Sequence, residues 1–489
     1  MDLISLKSGS DIRGVACGDS VQLTDEAVRA ITGAFVRRLC EKTEKPAAEL
    51  RVAVGHDCRT SADRLRACVL SALVDAGVNA FDCGLSSTPA MFMAVIENGL
   101  DASIQLTASH MPQDRNGLKF FDKNGGFDGG EITEILARAE TEPFPRAEAP
   151  GRRDLLDFMP VYCAGLREKI RAEVGGDLPL AGLHIVVDAG NGVGGFFATE
   201  VLAKLGADIS GSVLLEPDGT FPVHIPNPEN ADAMACVRRA VSDAKADLGL
   251  IFDTDVDRAA CVDASGEEIG RDALIALSAV VACGGRRGCT IVTDSVTTDG
   301  LRVFLETQLG ARQYRYRRGY KNVIDKAREL CAEGIDCPLA IETSGHAALR
   351  ENYFLDDGAY LMTRITALAA NLRRAGKTVG DLIAAMPRPA EEAEKRFRIA
   401  GDDFGAYGDA VIASLAEYAE TQPGWTICDD NREGIRVRLD ADHGDGWLLL
   451  RKSVHDPVLP FNCASRVKGG CALILSRFNA FIEQFDRLS

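Results

Sequence analysis

Asp253, Asp255 and Asp257 stand at alternate positions after the apolar run Leu250-Ile251-Phe252, and Arg258 follows them. Carboxylates crowded in this way repel one another, and a divalent cation that prefers hard oxygen ligands, Mg²⁺ or Ca²⁺, offsets the repulsion. An EF-hand loop does not fit: its sixth position would be Arg258 instead of glycine, and its twelfth Ala264 instead of glutamate. The metal-free alternative is a polar turn held by aspartate side chains. A second polar loop, Thr107-Ala108-Ser109-His110-Met111-Pro112, follows Ile104-Gln105-Leu106. A lone serine in such a place more often caps a helix than attacks a substrate, and no Gly-x-Ser-x-Gly elbow surrounds it. Ser109 becomes a candidate phosphoryl carrier through its company: the aspartate loop, Arg13 in Asp11-Ile12-Arg13-Gly14, and Glu342-Thr343-Ser344-Gly345-His346.

Loops of this kind need strands to hold them. Three apolar runs end at aspartate and pass into a helical pattern: Val52–Asp57, Ile185–Asp188 and Thr290–Asp294. Each reads as the first strand and helix of a parallel sheet buried on both faces. Farther along each unit a second run empties into a polar loop: Ile104–Leu106 into Ser109, Leu250–Phe252 into Asp253, and Leu339–Ile341 into Glu342. Ligands of open α/β sheets bind beyond the carboxyl ends of the strands, so the three loops could converge on one cleft. Pro143 to Arg153 reads as a linker, Ala264-Ser265-Gly266 as a turn between units, and the pattern changes after Met386-Pro387-Arg388-Pro389. The expected division is 1–152, with the Ser109 loop; 153–264, with the aspartate loop; 265–390, with the Glu342 loop; and 391–489, a smaller α+β domain. The fold class is α/β: three related domains with mixed, mainly parallel sheets, and the smaller fourth domain, around a central cleft.

At 489 residues the chain is too long for one core, and 46% hydrophobic with 26% charged residues is ordinary for a globular enzyme. A net charge of −17 argues against a nucleic-acid surface. Fifteen scattered cysteines without a Cys-x-x-Cys pair read as reduced, mostly buried thiols. No apolar stretch reaches the roughly 18 residues needed to span a bilayer, and the first residues carry no apolar targeting core. The expected location is the cytoplasm, with no membrane or nucleic-acid partner; oligomeric state is not legible.

Four motifs taken in order resemble the α-D-phosphohexomutases, the family of phosphoglucomutases, phosphomannomutases and phosphoglucosamine mutases. They are Asp11–Gly14; Thr107–Pro112 with Asn116-Gly117-Leu118-Lys119 downstream; Asp253–Arg258; and Glu342–His346. Val54–Arg59, Thr88-Pro89 and Asn191–Gly195 support them, so the resemblance spans essentially the whole chain. It implies interconversion of hexose 1-phosphate and hexose 6-phosphate, of mannose, glucose or both, through a hexose 1,6-bisphosphate that also serves as activator. It implies that Ser109 is the phosphoserine and that Mg²⁺ is held by Ser109, Asp253, Asp255 and Asp257. His110, Lys119 and Arg13 fall at catalytic positions. Arg258, Arg317, Gly319, Lys321, Glu342, Ser344 and His346 fall at substrate-binding positions, Arg451, Ser453, His455 and Asn462 at phosphate-binding ones.

The phosphate loop departs from the family. Where Arg-x-Ser-Gly-Thr-Glu-Pro is usual, this chain has Arg451-Lys452-Ser453-Val454-His455-Asp456-Pro457. Met111 replaces the usual Asn after His110, and Arg115 stands where Tyr is common. Both changes bear on substrate preference, and phosphoglucosamine mutation is the nearest alternative. Gly190-Asn191-Gly192-Val193-Gly194-Gly195 matches a dinucleotide-binding Gly-x-Gly-x-x-Gly, with Glu216 farther on, which makes an oxidoreductase the rival from another reaction class. Gly376-Lys377-Thr378 resembles the end of a phosphate-binding P-loop, but the required upstream glycine is Asn371. A catalytically silent sugar-phosphate-binding protein is the third reading, and retention of Ser109, the three aspartates and Lys119 counts against it.

Overall fold

The computed structural model describes residues 2–401, 403–453 and 456–489. The chain folds as two compact units, Met1–Gly270 with Ser344–Leu382, and Arg271–Thr343 with Ile383–Ser489.

The first unit holds two sheets. In the larger, Arg51–His56 runs parallel to Asn79–Leu85 and to Ala102–Leu106. Arg115–Asp122 then pairs antiparallel with Ala102–Leu106, and Asp11–Val15 antiparallel with Arg115–Asp122. Ala102–Leu106 is buried at every position, as an apolar run covered on both faces requires. Helices Asp25–Thr43, Ala62–Asp75 and Gly129–Thr141 supply apolar faces to this core, where Phe35 stacks on Phe120 at 4.7 Å. In the second sheet Ile185–Asp188 lies parallel to Leu248–Phe252, which pairs antiparallel with Ala259–Asp263.

Near two of the expected boundaries the chain still pairs with the preceding sheet. Arg153–Leu155 adds a parallel edge strand to the first sheet beside Asn79–Leu85, so that sheet continues past residue 152. The strand is exposed throughout, and an edge strand needs no apolar signature. Ala264-Ser265-Gly266 closes a hairpin between Ala259–Asp263 and Glu268–Ile269. Asp263 Oδ1 shapes that turn by accepting from the backbone N–H groups of Ser265 and Glu267 at 2.8 and 3.0 Å.

In the second unit Thr290–Thr293 lies between the parallel strands Arg312–Arg315 and Leu339–Ile341. The C-terminal sheet is antiparallel throughout, in the order Glu391–Arg398, Val458–Ser465, Gly446–Leu450, Ile435–Leu439, Trp425–Ile427. Helices Phe404–Thr421 and Gly470–Ile482 cover its apolar face. All six expected strand runs are strands, three of them ending at Ser109, Asp253 and Glu342 loops. None of the fifteen cysteines, all described, is in a disulfide. Among the described residues no helix is long and apolar enough to cross a membrane.

Candidate active site

Ser109 sits just past the end of Ala102–Leu106 in the left-handed region, at φ +50°. A non-glycine residue stays there only when its surroundings over-determine it. Thr107 Oγ1 donates to Asp57 Oδ2 at 2.7 Å and accepts from the Ser109 N–H at 2.9 Å. Arg59, fully buried, spreads its guanidinium over the loop. Its NH2 group donates to the carbonyls of Ser109 and Met111 at 2.5 and 2.7 Å, and NH1 to those of Pro112 and Arg115 at 2.7 and 2.8 Å. Asp57 balances the buried cation at 3.2 Å. So held, the Ser109 hydroxyl donates to Asp253 Oδ2 at 2.9 Å, with His110 Nδ1 3.3 Å away.

The aspartate loop is fixed from two sides. The Arg258 N–H donates to Asp253 Oδ1 at 3.2 Å, and both the N–H and the hydroxyl of Thr88 donate to Asp255. Gly192 presses against it: a Cβ there would lie 2.7 Å from the Thr254 carbonyl, and the Val193 N–H donates to that carbonyl at 2.9 Å. The glycine run that matches a dinucleotide fingerprint therefore packs directly on the aspartate loop.

Lys119 Nζ pairs with Asp257 Oδ2 at 2.8 Å, and both side chains are buried. Arg13 opposes Gly117 across the strand pair, which puts it on the same sheet face as Lys119 two residues on. Arg13 also pairs with Asp11 at 2.8 Å, which raises its pKa in spite of burial. Arg258 Nε donates to His346 Nε2 at 3.1 Å, and His346 Nδ1 lies 2.9 Å from the Ser344 hydroxyl. Gly345, at φ +92°, makes that turn, and a side chain there would meet the Ala259 carbonyl at 2.7 Å.

Asp253, Asp255 and Asp257 are buried, with carboxylate oxygens within 4.8 Å of one another. Burial and mutual repulsion push Asp253 well above the usual carboxylate range and Asp255 up to about 6. Asp257 is held below that range, because Lys119, His346 and Arg258 outweigh its burial. Asp255 Oδ1 and Asp257 Oδ1 are buried without a hydrogen-bond partner, although His346 Nε2 lies 3.6 Å from the latter. Orphaned oxygens on crowded carboxylates fit a hard divalent cation. His110 is driven down to about 2 by Arg258, by burial and by Arg13, so its imidazole is neutral.

The second unit carries the remaining expected residues. Glu342, buried at the end of Leu339–Ile341, accepts from the Gly319 N–H at 2.6 Å. Beside it Asp294 accepts from the Thr343 N–H and hydroxyl at 3.2 and 2.7 Å, and burial with the nearby Glu342 pushes it up to about 7 against the pull of Arg318. Arg451 is buried with an unpartnered Nε, and burial lowers its pKa. Asn462 donates to Glu394 at 3.4 Å and leaves Oδ1 unpartnered, while the Ser453 hydroxyl accepts from the Asp456 N–H at 3.2 Å. His455 lies outside the described residues.

Arg317 is exposed over the Tyr316 ring, and it is Arg318 that turns toward Asp294 (3.9 Å), its backbone N–H donating to Glu433 at 3.3 Å. Lys321 pairs with Asp325 one helical turn on, at 2.8 Å. The sequence placed Arg59 and Thr88 only within the supporting stretches Val54–Arg59 and Thr88-Pro89, without a role in the site, and did not single out Arg318. Arg59 left a local signal as an Asp-x-Arg just past a strand end, Thr88 one as a Thr-Pro, and Arg318 none.

Three α/β domains of mixed sheets with an antiparallel C-terminal domain, carrying a loop serine against a carboxylate cluster, define a phosphotransferase-type architecture. Models of the three alpha/beta/alpha domains of phosphoglucomutase/phosphomannomutase match residues 5–146, 160–266 and 271–389. The chain belongs to the phosphoglucomutase/phosphomannomutase family. It is 30% identical to a phosphomannomutase/phosphoglucomutase of Pseudomonas aeruginosa, over 92% of this chain and 89% of that one. It is 28% identical to a phosphoglucomutase of Neisseria gonorrhoeae, over 98% and 96%. A crystal structure of a phosphoglucomutase/phosphomannomutase family protein from Burkholderia thailandensis superposes with a TM-score of 0.82 at 25% identity, covering 99% of this chain and 98% of that one.

Proposed function

We propose that this chain is a Mg²⁺-dependent phosphohexomutase that interconverts the 1- and 6-phosphates of glucose, mannose or both, with Ser109 as phosphoryl carrier. The observation that supports it most is the Ser109 hydroxyl, 2.9 Å from Asp253 within the buried carboxylate cluster. The names of the relatives, phosphoglucomutase and phosphomannomutase/phosphoglucomutase, point to the same substrates.

Ser109 Oγ, Asp253, Asp255 and Asp257 would hold the cation, which when bound supplies positive charge to the phosphoryl oxygens. Phosphoryl transfer depends on positioning and on neutralising spread negative charge, and this chain provides both. The Arg59 clamp fixes the Ser109 backbone, and Arg13, Lys119 and Arg258 line the serine's surroundings with cations. As the phosphorus–oxygen bond to phosphoserine 109 breaks, a bond to the sugar hydroxyl forms. Lys119 and Arg13 are assigned to proton transfer and charge stabilisation at the sugar hydroxyl; His110, neutral and 3.3 Å from Oγ, is placed to take the Ser109 hydroxyl proton when the bisphosphate returns its phosphoryl group, and the phosphate's charge opposes the arginines that hold its pKa down. The bisphosphate formed returns its other phosphoryl group to Ser109 after reorienting. Glu342, Ser344 and His346 are assigned to sugar hydroxyls, Arg258 and the Gly319 loop to substrate contacts, and Arg451, Ser453, His455 and Asn462 to the nonreacting phosphate.

The test is intact-protein mass and turnover of glucose 1-phosphate and mannose 1-phosphate with Mg²⁺ and the corresponding bisphosphate. Ser109→Ala is expected to lose both the added phosphoryl mass and turnover; full activity in that variant refutes the assignment.

A further inference from the structure

A second cluster of metal-ligating side chains lies outside the proposed catalytic machinery. Asp188 ends the strand Ile185–Asp188, His224 belongs to the proline-rich segment 218–229, and Cys236 stands in helix Ala231–Ala244. One donor atom from each lies within 4.8 Å of the other two. Asp188 is completely buried, His224 nearly so and Cys236 partly, so water reaches the cluster from the cysteine side.

The histidine is oriented for ligation. Its Nδ1 faces the Ile225 carbonyl at 3.1 Å, and because a carbonyl only accepts, Nδ1 carries a proton. That leaves Nε2 as the atom directed at Asp188, 3.1 and 3.2 Å from its two oxygens. An imidazole anchored through one nitrogen to a carbonyl, with the other aimed at a carboxylate and a thiol, is the arrangement that fixes the tautomer of a metal-bound histidine. The spacing fits as well. Tetrahedral zinc with nitrogen and oxygen ligands at about 2.0–2.1 Å separates those donors by roughly 3.3 Å. Asp188 Oδ1 is further fixed by the Gly190 N–H at 2.9 Å.

We propose that Asp188, His224 and Cys236 form a zinc site, with water as the fourth ligand, independent of the phosphoryl-transfer reading. The ligand chemistry selects the ion: a thiolate and an imidazole suit Zn²⁺ and do not suit Mg²⁺. The charges balance, because thiolate and carboxylate together neutralise Zn²⁺ in a largely buried place. On binding, two sulfur– and nitrogen-bound protons leave to solvent, one from the Cys236 thiol and one from His224 Nε2, and no redox change occurs. The site joins the sheet, the 218–229 segment and the helix at one point. Through Gly190 it also adjoins the turn whose Gly192 packs on the aspartate loop.

The experiment uses the full chain, stripped with a chelator and reloaded with Zn²⁺ or Co²⁺ in the presence of excess Mg²⁺ to occupy hard-oxygen sites. Metal per chain is measured after dialysis, and thiolate-to-Co²⁺ charge-transfer absorption reports cysteine ligation. The expected result is one Zn²⁺ retained per chain and a thiolate band, with affinity about tenfold weaker or worse in both Cys236→Ala and His224→Gln. Cys236→Ser, which keeps the side-chain shape, is expected to lose the band with the fold intact by circular dichroism. Absence of the band, or a band and zinc content unchanged by Cys236→Ala, overturns the proposal. Neither readout depends on turnover, so failure here is distinguishable from failure of the mutase assignment.

Discussion

Arg59→Lys should loosen the Ser109 loop. The guanidinium reaches four carbonyls, of Ser109, Met111, Pro112 and Arg115, while pairing with Asp57. A lysine ammonium keeps the charge opposite Asp57 but projects its donors from one point, so it forfeits at least two of those bonds. Hydrogen bonds to a charged group contribute about 1.5–3 kcal/mol each, and a buried carbonyl left unpaired adds its own penalty, so the net loss is about 3–5 kcal/mol. A chain of several domains does not unfold in one step, so a single melting temperature is the wrong readout. Hydrogen exchange across residues 109–115 measures the local opening directly, and about 3 kcal/mol corresponds to roughly hundredfold faster exchange there. Turnover should fall with it, because Ser109 Oγ is no longer held against Asp253. Wild-type exchange rates in 109–115 together with full turnover would show that the clamp does not position the serine.

Asp255→Asn removes a charge and an orphaned oxygen from the carboxylate cluster; the Mg²⁺ concentration for half-maximal turnover should rise about tenfold to hundredfold, and an unchanged metal response contradicts the ligand assignment. Arg451→Gln should raise KM for hexose phosphates by about 10- to 100-fold, the worth of one charged hydrogen bond, with phosphorylation of Ser109 unaffected; an unchanged KM removes Arg451 from the phosphate site. Asp357, buried under Tyr162 and Asn352, is pushed up to about 6 by burial. The folded chain therefore holds this proton to higher pH than the unfolded chain, whose pKa is about 3.9, and the associated stability, about 2–3 kcal/mol, is present below pH 4 and lost by about pH 6. Local opening free energies from hydrogen exchange around residues 357–361, compared at pH 4 and pH 7, should show Asp357→Asn gaining on the parent as pH rises; parallel profiles refute the shift.

The strands were legible because parallel strands covered on both faces read as unbroken apolar runs, and each emptied into a loop rich in polar residues. Ile104–Leu106, Leu250–Phe252 and Leu339–Ile341 announced themselves in this way. The edge strand Arg153–Leu155 could not, since its side chains face solvent and carry no pattern. Within the site, Asp253, Asp255 and Asp257 were visible as a local cluster. Lys119 and Thr88 were visible in stretches of their own, but their pairing with the cluster was not: Lys119 meets Asp257 across 138 residues and Thr88 meets Asp255 across 167. Such pairings are decided by how strands order themselves in a sheet, which a linear spacing does not encode. Arg318 was not legible either, because one residue of register decides which of two neighbouring arginines turns toward Asp294. The glycine run at 190–195 shows the converse, a motif with the right letters whose glycines serve close packing.

The thiols give the chain a built-in set of opening reporters. Burial pushes Cys83 and Cys283 up to about 12, so their reactive thiolate is scarce at neutral pH and alkylation must wait for the surrounding structure to part. Cys83 lies in the first sheet, Cys283 ends the helix Arg271–Cys283 and Cys463 lies within the C-terminal sheet. Alkylation followed thiol by thiol would therefore rank how readily each region breathes, without introducing a probe, and would show which of them quietens when a sugar phosphate binds.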